Sequence, residues 1–153
     1  MRAVICGAGI AGLALARRLG AAGVDIVVVE RAPGPHPGGY MLDFFGPGYD
    51  AAEAMGALPR IRELGYRVTE VAYVDERGAR RAGLSYDEFA RALGGRVVSI
   101  MRPDLQRALR AGVDVRYGCE VVAVDNRAGG VTVTLGSGET ISADLLVGCD
   151  GIH

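Results

Sequence analysis

The most constraining feature of this chain is a spaced set of glycines, Gly7, Gly9 and Gly12, lying between two apolar segments of different period. Arg2–Cys6 is a short apolar run, as expected of a strand buried on both faces of a parallel sheet. After the glycines, Leu13, Leu15, Ala16 and Leu19 recur at helical spacing, and the pattern stops near Gly20–Gly23. Asp25–Glu30 is apolar again, so the first thirty residues predict a strand, a helix and a second parallel strand, with the right-handed crossover such units adopt. In that setting the turn Gly7-Ala8-Gly9-Ile10-Ala11-Gly12 has a specific chemistry. Gly7 permits the tight turn, Gly9 lets a pyrophosphate approach the backbone, and Gly12 lets helix and strand pack closely. The helix N-terminus adds free N–H groups and positive potential. Glu30 ends the second strand, where a carboxylate accepts hydrogen bonds from an adenosine ribose and repels a 2′-phosphate.

Composition excludes several alternatives. The 153 residues fit one domain of ordinary size. A formal charge of −1 gives no electrostatic case for nucleic acid or an anionic membrane, and no apolar run is long enough to span a bilayer. The N-terminal residues lack the basic and apolar segments of a secretory signal, so a cytoplasmic location is expected. All 17 basic residues are arginine, which excludes Schiff-base chemistry and a Walker-type lysine. The 3 cysteines and 2 histidines are too few and too scattered for a disulfide framework or a metal centre.

Residues 31–48 hold four of the six prolines and read as a long loop, with Gly38-Gly39 able to approach a flat ligand and Met41, Leu42, Phe44 and Phe45 as an apolar wall. Residues 49–65 read as two short helices, and 67–74 as a strand. Ser85-Tyr86-Asp87-Glu88 fits a capping box opening a helix to about Leu93. A strand follows over 96–101, then a helix whose first turn holds Pro103. Arg102, at that helix start, can fork onto a phosphate or a ribityl hydroxyl. From Val113 the period becomes two, and 113–117, 120–125, 131–135 and 139–141 read as successive strands of an antiparallel meander. A last apolar strand, 144–149, leads to Asp150-Gly151. If it joins the first sheet, Asp150 reaches the crevice that Gly7–Gly12 opens. Cys6 and Cys149 read as inert core thiols. No residue stands out as a general base or nucleophile, so no catalytic residue is assigned.

Taken in order, these motifs resemble the FAD-dependent monooxygenases of the para-hydroxybenzoate hydroxylase type, in particular the branch with the tetracycline-inactivating flavin enzymes. The resemblance runs through Gly7–Gly12, Glu30-Arg31, Gly38–Gly48, Arg102–Leu105 and Asp144–Gly151. It implies an α/β, Rossmann-like βαβ FAD-binding fold of the glutathione reductase type with a small antiparallel β-meander. It also implies that Gly7, Ala8, Gly9, Ile10, Ala11, Gly12, Glu30 and Arg31 hold the ADP half of FAD, Arg102 its middle part, and the backbone of Val121 its adenine. Asp150 and Gly151 would serve FAD and are linked in the family to NAD(P)H use. In such enzymes NAD(P)H reduces the flavin, and the reduced flavin with O2 hydroxylates a small aromatic or polyketide-like substrate.

The family's second Gly-Asp motif and its substrate-covering sheet have no counterpart here, and the helix after Arg102 is short against the family pattern. The expectation is therefore an incomplete FAD-binding domain over residues 1–153, inactive alone, whose partner is the missing C-terminal half or another chain. Two further readings stay open: a non-catalytic dinucleotide-binding remnant or partner-dependent module, and a fragment of an NAD-dependent dehydrogenase.

Overall fold

The computed structural model describes residues 1–151 and divides them into two compact units. The first comprises Met1–Gly38 and the chain from Leu105 onward; the second is Gly39–Asp104.

The first unit is built on a four-stranded parallel sheet. Strand β1 (Arg2–Cys6) lies between β2 (Asp25–Glu30) and β11 (Leu145–Gly148), and β7 (Val115–Tyr117) lies outside β2. The central strand carries no measurable exposure at Ala3, Val4 and Ile5, which is why its sequence is apolar without alternation. Helix α1 (Ile10–Ala21) buries Gly12, Leu13 and Ala16. The register of β11 against β1 starts at Asp144, which donates its N–H to the Arg2 carbonyl (2.9 Å) and accepts the Arg2 N–H on its carboxylate (2.6 Å).

A meander of β8 (Val121–Arg127), β9 (Gly130–Leu135) and β10 (Thr140–Ala143) follows β7. Along β9, buried Val131, Val133 and Leu135 alternate with half-exposed Thr132 and Thr134, so one face is apolar. That face packs on Val4 and Val29 of the parallel sheet, with Ile141 completing the cluster.

The second unit has two separate two-stranded antiparallel sheets, β3 (Met41–Phe45) with β6 (Val97–Met101) and β4 (Glu70–Val74) with β5 (Arg80–Ser85). Helices α2 (Pro47–Ala54), α3 (Leu58–Glu63) and α4 (Tyr86–Ala92) complete it, while α5 (Arg102–Arg110) runs across the boundary into the first unit. Its small core gathers Tyr49, Ala52, Leu58, Ile61 and Ile100. Arg62 donates to the Tyr49 hydroxyl, and the Arg96 guanidinium stacks 4.6 Å from the Tyr49 ring centre while bonding Asp50 and Glu53.

Three sequence expectations need correction. Residues 31–48 are not loop throughout: Met41–Phe45 forms β3 by pairing with β6, and α2 starts at Pro47. Residues 80–85, for which no element was expected, form a strand. Val115–Tyr117 belongs to the parallel sheet through Val28↔Val115 and Glu30↔Tyr117, so the meander has three strands, not four. Ser85 occupies the N-cap of α4, but its side chain makes no capping bond; the helix start is tied instead by the Tyr86 N–H, which donates to the Thr69 carbonyl. Among the described residues no helix is long and apolar enough to cross a membrane.

Candidate functional site: a crevice at the carboxyl ends of β1 and β2

Where β1 ends, the chain turns through Gly7, whose φ of +109° excludes ordinary side chains. A Cβ there would lie 2.4 Å from the Cys149 carbonyl oxygen. A Cβ at Gly12 would lie 1.9 Å from the Gly7 carbonyl oxygen, so α1 docks on the turn only with glycine at that point. Gly9 differs from both. It has an ordinary extended backbone, it is the N-cap of α1, and a Cβ on it would meet nothing within 4 Å. Two of the three glycines are therefore required by the protein itself, and the third faces open space at a helix N-terminus that has no side-chain cap.

Glu30 ties this turn to the second strand. Its carboxylate accepts the Ala8 N–H (2.9 Å) on one oxygen and the Ala32 N–H (2.8 Å) on the other. Each oxygen keeps a lone pair, enough to accept a ribose hydroxyl. Around it lies a cavity of about 160 Å³. Gly7, Glu30, Arg31, Val121 and Asp150 line it; the sequence motifs had singled out Gly7, Glu30 and Asp150, and the family resemblance Arg31 and Val121. The crevice lies where open α/β sheets place their ligands, beyond the carboxyl ends of the strands.

Cys6, Cys119 and Glu120 also line the cavity and were not assigned to a site by sequence reasoning. The missing signal was topological. Cys119 donates its N–H to the Glu30 carbonyl (2.9 Å) and Gly118 to that of Ala32 (2.8 Å), which brings segment 118–121 beside the ribose-type acceptor. Only the placement of β7 next to β2 reveals this. Burial, then the Asp150 and Glu30 carboxylates, push the Cys6 thiol upward, so it stays protonated and chemically quiet. Burial and Asp150 do the same to Cys149.

The remaining sequence candidates are placed as follows. Ala8 is buried, Ile10 half-buried and Ala11 exposed in the first turn of α1. Gly151 is exposed with a φ of +93°. Arg102 belongs to the second unit, where it is half-buried and donates its N–H to the Tyr40 carbonyl (3.0 Å). Gly39 is needed there for the protein's own packing, since a Cβ on it would lie 2.6 Å from Pro103 Cδ.

The sequence model of one family, described as FAD binding domain, matches residues 1–153. The chain belongs to this family. As an FAD-binding domain it is 32% identical over 157 residues to an FAD-dependent urate hydroxylase of Mycolicibacterium vanbaalenii, with 99% of this chain and 40% of that protein aligned. Among solved structures, the tetracycline destructase Tet(51) matches with a TM-score of 0.81 at 28% identity, covering 99% of this chain and 39% of that one. Klebsiella pneumoniae HpxO, crystallised with FAD and uric acid, matches with a TM-score of 0.78 at 28% identity, covering 95% and 38%. The fold is that of the glutathione reductase type of flavoprotein, and FAD is the cofactor of this family. The chain spans about 40% of the length of the curated relatives it matches.

Proposed function

We propose that this chain is the FAD-binding portion of an NAD(P)H-dependent flavin monooxygenase acting on a small aromatic or polyketide-like substrate. Residues 1–153 serve as one cofactor-binding domain, inactive without the rest of the enzyme. The observation that carries the reading is Gly9: no atom of the protein requires a glycine there, whereas a pyrophosphate on the end of α1 would. Gly7, Ala8, Gly9, Ile10, Ala11 and Gly12 would cradle the phosphates, with the N–H groups of the first helical turn as donors. Glu30 and Arg31 would take the adenosine ribose, the Val121 backbone the adenine edge, and Asp150 and Gly151 the approach to the ribityl chain. Arg102 would hold the middle of the cofactor. When bound, the flavin supplies the redox chemistry, taking a hydride from NAD(P)H and passing an oxygen atom from O2 to the substrate. The chain's own part is to bind, orient and shield.

The relatives support this reading by their activities as named, a urate hydroxylase and a tetracycline destructase. A second reading rests on the 40% span: the chain works as a module whose partner is the remaining part of such an enzyme, supplied by the same or another chain. A cytoplasmic location fits either reading.

Titration of the purified chain with FAD, followed by flavin fluorescence with NAD as competitor, tests the first. We expect saturable FAD binding that NAD displaces poorly. A folded chain that takes NAD in preference to FAD would leave only a dehydrogenase-type nucleotide site.

A further inference from the structure

Ser99 is the one polar side chain fully buried in the described chain, at 1% exposure. Its hydroxyl stands 2.6 Å from Asp43 and 2.6 Å from the Tyr86 hydroxyl. With one proton on each oxygen, the bonds run in one direction: Tyr86 O–H donates to Ser99 Oγ, and Ser99 O–H donates to Asp43 Oδ1. A buried hydroxyl costs stability unless bonded, and here both of its bonds serve one purpose, fixing an exposed carboxylate. Asp43 Oδ2 takes no bond from any described residue.

Apart from the Ser99 and Tyr86 hydroxyls, which stand 2.6 and 3.5 Å from Asp43 Oδ1, its neighbours on the strand are apolar. Asp43 shares its face of β3 with Met41 and Phe45, exposed at 48% and 45%. Phe45 meets Phe89 edge-on at 6.0 Å, and Phe89 meets Tyr86 at 5.8 Å, so aromatic rings link the two sides of Asp43. An apolar wall with one aimed acceptor is how small-molecule sites are built.

We propose that Asp43 accepts a hydrogen bond from a hydroxyl or N–H group on a flat organic ligand, and that Ser99 and Tyr86 are positioning residues that aim it. The ligand class rests on the flavin monooxygenase reading, and two sources carry that chemistry: the riboflavin half of the cofactor and a phenolic substrate.

The test compares ADP, riboflavin and 2-naphthol as probes, by fluorescence for riboflavin and by amide chemical shifts for all three, in the wild type and in Asp43→Asn, Ser99→Ala and Tyr86→Phe. ADP tests the nucleotide crevice alone, so its failure counts against the function proposed above and not against this inference. Asp43→Asn is isosteric and keeps Oδ1 as the acceptor for Ser99, and it should weaken one of the two aromatic probes about tenfold while leaving ADP unchanged. Loss of riboflavin binding assigns the donor to the cofactor, and loss of 2-naphthol binding assigns it to the substrate. Tyr86→Phe keeps the ring contact with Phe89 and should show a smaller weakening in the same probe. Unchanged affinity for both probes in Asp43→Asn, or no shift of residues 41–45 with either probe in the wild type, overturns the proposal.

Discussion

The two units of this chain are held together in different ways. In the first, Ala3, Val4 and Ile5 of the middle strand have no exposure, and two layers of apolar side chains cover it, α1 with Leu13 and Ala16 and the meander with Val131, Val133 and Leu135. In the second, every residue of the strands β4 and β5 is exposed, including Tyr73 at 74% and Val71 at 51%. Two strands alone are marginal in water, and this pair is held by its ladder and by ion pairs such as Arg80–Glu70. The unit with the candidate crevice is thus the one with the buried frame. A phosphate cradle works by fixed backbone geometry, so a buried frame suits the role proposed for the turn at Gly7–Gly12.

The largest expected effect would break that frame. Gly12→Val places a Cβ 1.9 Å from a backbone oxygen, which no side-chain rotation relieves. A loss of about 3 kcal/mol is expected, read by urea unfolding together with amide exchange at Val4 and Ile5. Leu135→Ala, in the apolar cluster under the meander and at 1% exposure, should cost about 3 kcal/mol by cavity formation. Leu84→Ala in the hairpin, at 46% exposure, should stay within about 0.5 kcal/mol. Equal losses from the two leucine changes would erase the distinction between the units.

Within the first unit, fold and ligand contributions can be separated at the glycines. Gly9→Ala meets open space and should cost at most about 1 kcal/mol of stability as a poorer N-cap. It should nevertheless reduce FAD affinity about tenfold by occupying the phosphate approach. Glu30→Gln turns one acceptor oxygen into a donor that faces the N–H of Ala8 or Ala32. A loss of about 1–2 kcal/mol in both stability and FAD binding is expected, measured by thermal unfolding and fluorescence titration. A stability loss with unchanged affinity would reduce Glu30 to a brace of the turn.

The contrast between the units also sets what the sequence could reveal. Strands β1 and β2 and helix α1 are legible because their burial is dictated by continuous local patterns, and the turn between them by steric demands at Gly7 and Gly12. In the second unit strand formation depends on distant partners. Met41–Phe45 is interrupted by Asp43 and flanked by glycines, so nothing local distinguishes it from loop; Val97–Met101 makes it a strand. Arg80–Ser85 has poor intrinsic preference for a strand and becomes one only against Glu70–Val74. The site divides the same way. Gly7 and Glu30 are marked as crevice residues by their spacing, whereas Cys119 and Glu120 reach the crevice through the parallel pairing of β7, which its three residues cannot signal.

The smallest expected effect separates two acids, one in each unit. Glu139, in the turn between β9 and β10, is held below the usual carboxylate range mainly by its hydrogen bonds from Arg116 on β7 (2.9 and 2.5 Å). Asp75, in the hairpin turn, is held low first by the Ala79 N–H and also by that of Arg77, both 2.9 Å from Oδ1, with Arg81 adding a further bond. For both, the folded pKa lies below the unfolded one. Their contribution to stability is therefore present above the ordinary carboxylate range and is lost as pH falls through the folded pKa. Carboxyl resonances followed from pH 6 downward should both titrate low at low ionic strength. In about 1 M salt the screening length shrinks to about 3 Å, so the Glu139 midpoint should move back toward its ordinary value. The Asp75 midpoint should move less, because fixed backbone dipoles within the turn hold most of it. If Asp75 shifts as far as Glu139, its charge is governed by Arg81 rather than by the turn, and the hairpin is held by surface ion pairs to a greater degree than its backbone geometry implies.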